Sequence, residues 1–305
     1  MPQPHPTTPV RLYHWVGPIV VGVAAFALVT AAAADPVWDK VGEAFGKTGA
    51  EISGLYRIAL PRTDIKATLD GVTLKPGLAL GGWLAFQKMG DGAMVMGDLV
   101  LTQEEVNPVM AKLLASGIEV TALHNHLLRN TPFTMYMHVY GHGDPVKLAT
   151  ALHAGLAESR TPMTASPPPA TPPQIDLDIA ALDQMLGAKG TNNGGILGYA
   201  IRRAEPIKDA GMVVPAAMGS AIGVNFQPTG NGKAAITGDF VLLGSELEPV
   251  LKALRENAIE VTAIHNHMVD EQPRLFFVHF WANDDAKKLA QGLKAALGHV
   301  NIAKS

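Results

Sequence analysis

The chain has 305 residues, of which 48% are hydrophobic and 17% are charged, a composition typical of globular proteins. Its formal net charge is -3 and it has no dense run of Lys or Arg, which argues against a nucleic-acid or anionic-membrane partner. The chain has no cysteine, so disulfides and thiolate ligands are excluded. Any metal must therefore be bound by histidine, carboxylate, methionine or backbone oxygen.

The first 34 residues predict a signal peptide. Arg11 and His14 precede an apolar run over residues 16–29, and the small residues 30–34 fit cleavage after Ala34. The alternative is an uncleaved membrane anchor, although the run is short for a span of about 20 residues. Both interpretations predict export, to the periplasm or the extracellular space, and cleavage would leave no stable membrane span.

Two long segments of the chain align with each other without a gap. They are GDLVLTQEEVNPVMAKLLASGIEVTALHNHLL at residues 97–128 and GDFVLLGSELEPVLKALRENAIEVTAIHNHMV at residues 238–269, an offset of 238 minus 97, or 141 residues. We therefore predict a first repeat over residues 35–160 and a second over residues 175–305. The Pro-rich segment 161–174 is predicted to be the linker between them.

The predicted elements follow one order in each copy: strand, strand, helix, strand, strand, helix. In the first copy, the patterns predict strands at residues 83–89, 93–101, 119–128 and 133–142. Thr102 and Glu105 predict a capping box for the first helix, which ends at Gly117. Asp144 is predicted to cap the second helix. An additional strand is predicted before each hairpin, at residues 52–60 and 195–203.

This order predicts an α+β fold. Each copy would be a ferredoxin-like sandwich, circularly permuted to ββαββα, with two helices on one face of an antiparallel sheet. We expect the two copies to associate through their open sheet faces or edges, as an internal pseudo-dimer.

Histidines recur at the end of a predicted strand in both copies, in EVTALHNHLL and EVTAIHNHMV. Because side chains alternate along a strand, His124 and His126 would lie on one face about 7 Å apart. If His124 pairs with His138 in the next hairpin, His138 joins that face. The second copy repeats the arrangement with His265, His267 and His279.

Three neutral imidazoles per copy predict a transition-metal site, with zinc favoured and copper, nickel or iron as alternatives. Whether the two triads form one site or two is left open by the sequence. The alternative to a ligand role is that His124 is a hydrogen-bonded core residue, since Ile118, Val120 and Ala122 define an apolar face that His124 would continue. A register change of one residue would also move His138 to the opposite face.

Other side chains on these strands have two interpretations each. Met94, Met96, Met135 and Met137 could bind Cu(I), but the second copy lacks them, which favours a role as core filler. Asp98 and Asp239 could hydrogen-bond the imidazoles or cap a bulge. Asp270 and Glu271 could add carboxylate ligands to the second triad or simply be solvated turn residues. The letters His-Asn-His also match the name of a nuclease motif, whose spread of residues and basic surroundings this chain lacks.

The repeated segments, including GDLVLTQEEVNPVM, GDFVL and EVTAIHNHMVDEQPRLFFVHFWANDDAKKLA, resemble the LppY/LpqO family of exported bacterial proteins. The resemblance spans residues 35–297 and implies export and two copies, but no established reaction. Lipid anchoring is not carried over, because the chain has no cysteine.

The sequence thus favours a transition-metal-binding protein, with hydrolysis by metal-activated water as the first reaction class. The alternative is a non-catalytic binding module for a small molecule or an envelope protein, in which aromatic residues line the pocket. These residues are Tyr136, Tyr140, Phe277 and Trp281. A purely structural role in the envelope is the third interpretation.

Overall fold

A computed structural model describes residues 1, 3, 35–164 and 173–304 of the chain. The proposed signal peptide and residues 165–172 of the proposed linker lie outside these residues, so the domain boundaries stay predictions. No helix in the described part of the chain is long and apolar enough to cross a membrane.

The first repeat contains four helices and eight strands. Its helices are α1 (Pro36–Phe45), α2 (Pro76–Ala79), α3 (Gln103–Ala115) and α4 (Pro145–Leu156). Its strands are β1 (Ala50–Ile52), β2 (Leu55–Pro61), β3 (Thr68–Leu69), β4 (Val72–Thr73), β5 (Gly81–Met89), β6 (Gly92–Thr102), β7 (Glu119–His124) and β8 (Thr134–Gly143).

The second repeat follows the same order. Its helices are α5 (Ile179–Leu186), α6 (Gly244–Glu256) and α7 (Ala286–Leu297), with a 3₁₀ turn at Ala216–Met218 in the place of α2. Its strands are β9 (Thr191–Asn192), β10 (Leu197–Arg202), β11 (Lys208–Asp209), β12 (Met212–Val213), β13 (Ala221–Gly230), β14 (Lys233–Leu243), β15 (Glu260–His265) and β16 (Leu275–Asp285). The expectation of two similar α/β repeats is therefore confirmed.

Each repeat builds one six-stranded antiparallel sheet. The strand order is β1-β2-β5-β6-β8-β7 in the first and β15-β16-β14-β13-β10-β9 in the second, so the two orders correspond strand for strand. The short pairs β3-β4 and β11-β12 form separate two-stranded sheets. In both large sheets the strand that leads into the His-Asn-His motif is the edge strand.

Helices cover one face of the first sheet. Phe45 of α1, Leu113 of α3 and Leu152 of α4 are buried against strand residues such as Val95 and Val139. Because alternate strand residues point to opposite faces, the residues between these ones lie on the open face. The open face carries Met94, Met96, Asp98 and Val100 along β6.

The open faces of the two sheets pack against each other. Met94 and Met96 are buried in one apolar cluster with open-face residues of the second repeat, such as Val241 and Phe277. A further cluster combines Tyr136 of the first repeat with Trp281 of the second. Met94 and Met96 therefore fill a core between the repeats, whereas Met135 and Met137 fill the helix-covered core of the first repeat, so all four are core residues, as the comparison of the two copies favoured.

Twin buried ion pairs connect each sheet to the helix that follows β6 or β14. Arg62 is 1% exposed, and its Nη1 donates to Glu105 Oε2 and to Val100 O, both at 2.7 Å. Glu105 Oε2 also accepts from the N–H of Thr102 at 2.9 Å, which is the backbone half of the predicted capping box. Arg203 and Glu246 repeat the pair in the second copy.

Candidate metal centre

A β-bulge sets the direction of the histidines on β7. Val120 pairs with Val139, whereas Ala122 pairs with His138, so Thr121 is an extra residue without a partner position on β8. An extra residue in one strand reverses the alternation of the side chains that follow it. Ala122 therefore lies on the open face of the sheet, whereas Val120 lies on the helix face.

This bulge makes one sequence expectation wrong. His124 does not continue the apolar face of Ile118 and Val120, because it lies beyond the bulge and points to the open face with Ala122. The second copy has the same irregularity between Val261 and Ala263.

The register of the hairpin also differs from the expectation. His124 pairs with Tyr136 rather than with His138. The difference is two residues, an even number, so His138 remains on the same face as His124. The strand ends at His124 rather than at residue 128, so His126 lies just beyond it.

The six histidines of the two triads form one cluster instead of two. The closest ring pairs each join the two repeats. Their centroids are 3.6 Å apart for His124 and His265, 3.8 Å for His126 and His279, and 3.8 Å for His138 and His267. In a subset of four, one ring nitrogen of each residue lies within 4.8 Å of all the others. This subset is His124, His265, His267 and His279.

The middle residue of each His-Asn-His motif links the repeats. Asn125 Nδ2 donates to Thr262 O at 3.0 Å, and Thr262 Oγ1 donates to His126 O at 2.5 Å. The mirrored bonds run from Asn266 Nδ2 to Thr121 O at 3.0 Å and from Thr121 Oγ1 to His267 O at 2.6 Å. The bulged threonine of one copy thus holds the histidine motif of the other, a role that the recurrence of EVTA and HNH in both copies could have suggested.

Burial keeps the imidazoles neutral. Loss of hydration lowers the pKa of His124 and His267 to about 3 and that of His279 to about 4. The same cause lowers the pKa of His126, His138 and His265 further, with the neighbouring imidazoles adding to it. Neutral imidazole is the form that binds transition metals.

Several ring nitrogens of the cluster have no hydrogen-bond partner within the described ranges. They are Nε2 of His124, His126, His138 and His279, and Nδ1 of His265. A buried polar atom without a partner costs about 1–3 kcal/mol, so five such atoms in one place call for a ligand.

Hydrogen bonds on the other ring nitrogen orient some of these rings. His279 Nδ1 donates to Gly238 O at 2.7 Å, and His124 Nδ1 lies 3.2 Å from Asn125 O. A carbonyl bound to one ring nitrogen leaves the lone pair on the other, here Nε2, directed into the cluster. His267 Nε2 lies 3.1 Å from His265 Nε2, close to the separation of about 3.3 Å between two imidazole ligands of one tetrahedral zinc ion.

Two carboxylates adjoin the cluster. Asp98 Oδ2 lies 3.5 Å from His126 Nε2, and Asp239 Oδ2 lies 3.1 Å from His267 Nε2. Burial raises the pKa of Asp98 to about 8, with the charge of Asp239 adding to it. Burial also raises the pKa of Asp239 to about 6, against the opposing effect of His279. Of the two interpretations of these residues, contact with the imidazoles is the one that the geometry favours.

Aromatic rings flank the cluster at equivalent places. The ring of His126 stacks on Tyr136 with centroids 3.3 Å apart, and that of His267 stacks on Phe277 at 3.5 Å. Tyr136 Oη donates to Ala79 O at 2.6 Å, which fixes its ring. Trp281 instead packs between the repeats and donates to Asp70 Oδ2 at 3.1 Å.

The carboxylate of Glu271 has partners of its own within the turn. Its Oε1 accepts from the N–H of Leu275 at 3.0 Å, and its Oε2 accepts from Arg274 Nη1 at 3.2 Å. Glu271 is therefore a buried turn residue, not the solvated one that its position in the sequence favoured. Asp270 beside it is exposed.

A cavity of about 640 Å³ borders the cluster. Its wall includes four of the histidines, His126, His138, His267 and His279, together with Asp98 and Asp239. Tyr136 is the one of the four expected pocket aromatics that lines it, among the residues that the structure describes. The volume is within the range of about 300–1,000 Å³ that is typical of small-molecule sites.

The fold and this site define a class of protein: two tandem α/β repeats that share one buried histidine cluster. The family described as Domain of Unknown Function (DUF1259) matches residues 39–158 and again residues 180–299. The chain belongs to this family and contains two copies of its domain. The match does not name the LppY/LpqO group, so that finer resemblance stays a prediction.

Comparisons with individual proteins and solved structures identify no close relative of this chain. No curated protein matches the chain significantly. A trimeric bacterial microcompartment shell protein, PduB, is 12% identical with a TM-score of 0.20, over 81% of this chain and 88% of that chain. EtuB from Clostridium kluyveri is 9% identical with a TM-score of 0.19, over 82% of this chain and 88% of that chain. At these TM-scores neither likeness supports a conclusion about fold or function.

Proposed function

We propose that this protein binds a transition metal ion at the shared histidine cluster. The observation that carries the proposal is the convergence of buried, neutral imidazoles from both repeats, with ring nitrogens that have no partner in the described part of the chain. The ligand candidates are His124, His126, His138, His265, His267 and His279. Zinc fits an all-nitrogen set of this kind, and copper, nickel and iron are the alternatives.

One ion shared by both repeats fits the distances better than one ion per triad. The four ring nitrogens within 4.8 Å of one another come from both copies. His126 and His138 stack on His279 and His267 and complete the imidazole surroundings. A carbonyl partner on the outer ring nitrogen, such as Gly238 O on His279 Nδ1, is typical of metal-binding histidines.

Hydrolysis is the reaction class that this site supports best. A bound metal ion of this type supplies Lewis acidity and lowers the pKa of water. The chain itself supplies a cavity for a substrate and two carboxyl groups, Asp98 and Asp239, that can hold or accept a proton beside the imidazoles. Hydrolytic activity is therefore the first activity to assay with the metal-loaded protein.

The same proposal includes a ferredoxin-like fold for each repeat and export of the protein. The order β5-β6-β8-β7, with α3 between β6 and β7 and α4 after β8, supports a ferredoxin-like sheet circularly permuted to ββαββα. The packing of the open faces supports an internal pseudo-dimer. The composition of residues 1–34 supports export to the periplasm or beyond.

Elemental analysis of the untagged, full-length protein by plasma mass spectrometry tests the metal site. We expect about one equivalent of one transition metal per chain after dialysis, as one shared site requires. The double variant His124→Ala with His265→Ala should lose the metal. His142→Ala is the matched control, because His142 lies on the same strand as His138 but is exposed and outside the cluster.

Protein that stays metal-free after incubation with zinc, copper, nickel and iron salts would contradict the proposal. So would a double variant that retains as much metal as the His142→Ala control. Circular dichroism of each variant separates loss of ligands from loss of fold.

The cavity favours a second candidate function, binding of a small molecule without catalysis. Its volume and its partly aromatic wall suit this function with or without a metal. Metal-free protein that binds a small ligand in this cavity would favour the binding module over the hydrolase.

A further inference from the structure

One end of the cavity beside the cluster carries a half-buried arginine. The guanidinium carbon of Arg57 lies 4.4 Å from the ring centroid of Trp83, and both residues line the cavity. Arg57 Nη1 donates to Ala217 O at 2.5 Å, so the plane of the guanidinium is fixed from two sides. A fixed guanidinium is the group best suited to bind an oxyanion through two parallel hydrogen bonds.

Arg57 has no carboxylate within 4.0 Å in residues 35–164 and 173–304, in contrast to Arg62 and Arg203, the two arginines that are buried within these ranges. Arg62 pairs with Asp64 and Glu105, and Arg203 pairs with Glu205 and Glu246. The chain thus compensates its other desolvated guanidinium groups with two carboxylates each. Loss of hydration lowers the pKa of Arg57 against the opposing effect of the Asp98 charge, which is the effect expected of a cation without a paired carboxylate.

The second repeat does not reproduce this end of the cavity. Trp83 pairs with Asp98, and the equivalent position opposite Asp239 is Gly223. The position equivalent to Arg57 is Gly198. Arg57 pairs with Ala85, two residues after Trp83, and Gly198 pairs with Asn225, two residues after Gly223.

These glycines matter because they also line the cavity. A Cβ added at Gly223 would meet no atom within 4 Å, so the space beside it is open, whereas a Cβ at Gly198 would meet Asn193 Nδ2 at 2.9 Å. A nearly symmetric histidine cluster therefore faces a cavity whose wall carries Arg57 and Trp83 from the first repeat and two glycines at the equivalent positions of the second.

We propose that the Arg57 end of the cavity binds the oxyanion, a carboxylate or a phosphate, of a small organic molecule whose remainder lies towards the histidine cluster. The inference deepens the proposed function, on which it rests for the role of the cluster, by naming the class of substrate or ligand. Arg57 provides the charged hydrogen-bond donors, and Trp83 provides a flat apolar surface for the adjoining carbon atoms.

The test is a titration of the metal-free, full-length protein with benzoate and phenyl phosphate, with benzamide as the neutral probe. Isothermal calorimetry measures Kd, and the Nε–Hε NMR signal of Arg57 reports contact directly. The signal is assigned by its absence in Arg57→Gln. We expect at least one oxyanion probe to shift this signal, and Arg57→Gln to weaken binding of that probe about tenfold or more.

Control variants separate this contact from the charge and from the fold. Arg57→Lys keeps the charge without the planar group and should bind more weakly than wild type but more tightly than Arg57→Gln. Arg202→Gln removes an exposed arginine of β10 and should leave Kd unchanged. Benzamide should bind equally to the wild type and to Arg57→Gln.

The outcomes distinguish a carboxylate from a phosphate, and they separate the oxyanion site from the metal site. Tighter binding of benzoate identifies a carboxylate, and tighter binding of phenyl phosphate identifies a phosphate. An Arg57 signal that neither probe moves at millimolar concentration, or equal Kd values for wild type and Arg57→Gln, would overturn the inference. Because the titration needs no metal, failure of the metal site leaves its result intact.

Discussion

At the scale of single residues, surroundings rather than residue type divide the histidines of this chain into two kinds. His142 is exposed at the end of β8, and His153 satisfies its Nδ1 with Phe45 O at 2.7 Å. Neither lies in the cluster. His138 and His279 are 5% and 3% exposed and have Nε2 atoms without partners in the described part of the chain. Only the second kind combines burial with an available lone pair.

In the metal-free protein, we expect the free energy of unfolding to rise as pH increases from 4 to 6.5. The pKa of His124, His267 and His279 is about 3, 3 and 4 in the folded state, against 6.5 for an exposed histidine. The unfolded chain therefore binds more protons in this window, and acid favours it. Urea unfolding of chelator-treated protein across this range measures the effect, and a flat profile would contradict it.

Above pH 6.5 we expect Asp98 to contribute a slope of the opposite sign, which acts against the remaining gain from the histidines. Its pKa is about 8 in the folded state, against 3.8 for an exposed aspartate, so its contribution is complete in acid and is lost as pH rises through 8. The loss between pH 6.5 and pH 8 is on the order of 1–2 kcal/mol. Urea unfolding of the wild type and of Asp98→Asn over this range measures the decline, as the difference between their free energies of unfolding. Asp98→Asn should remove it, and Asp91→Asn, in an exposed turn, should leave it in place.

The six histidines of the cluster could be singled out from the sequence because both copies retain them at one offset and because strand alternation is regular. Their grouping into one site could not be predicted. It depends on how the open faces of two sheets meet, and that geometry is set by many apolar contacts such as those of Met96 and Trp281. Arg57 was missed because one arginine in a strand has no distinctive pattern.

At the scale of secondary-structure elements, the structure depends on two devices that local patterns do not reveal. The bulge at Thr121 adds one residue to β7, so every side chain after it points to the opposite face of the sheet from the one that regular alternation predicts. Threonine is a common strand residue, so nothing in EVTALH indicates the extra position. The helix and strand pattern was predictable, since capping residues, hairpin turns and apolar periodicity are local. The face on which His124 lies relative to Val120 was not.

The second device is the buried ion pair that joins α3 to the end of β2. We expect Glu105→Ala to destabilise the protein by about 3–5 kcal/mol, because it leaves the Arg62 guanidinium buried with one remaining carboxylate, Asp64. Loss of the bond to the Thr102 N–H adds to this cost. Glu104→Ala is the matched control, since Glu104 is the exposed neighbour on the same helix turn.

Urea denaturation of both variants measures the difference. A Glu105→Ala protein as stable as Glu104→Ala would show that the pair is replaced by water without cost. The twin pair of Arg203 and Glu246 allows the same comparison in the second repeat, with Glu248→Ala as its exposed control.

At the scale of the whole molecule, the two repeats are joined mainly by their common core. The surface pair between Arg129 and Glu260 also joins them at 2.8 Å, but its side chains are 51% and 32% exposed. Such pairs contribute about 0–1 kcal/mol. The apolar clusters between the sheets bury several large side chains, each worth about 1.5–3 kcal/mol, so they dominate the association.

A shared core has a consequence for unfolding. Leu113 of α3 and Leu254 of α6 are fully buried equivalents, 254 minus 113, or 141 residues apart. We expect Leu113→Ala or Leu254→Ala to cost about 2–5 kcal/mol and to lower a single transition of the entire molecule. In either variant, the unfolding curves from circular dichroism and from tryptophan fluorescence should coincide. The reason is that the open face of each sheet becomes exposed to water once the other repeat unfolds. Two separated transitions, with only one of them shifted by each variant, would show instead that the repeats are independent domains. The histidine cluster could then separate while each sheet stays folded.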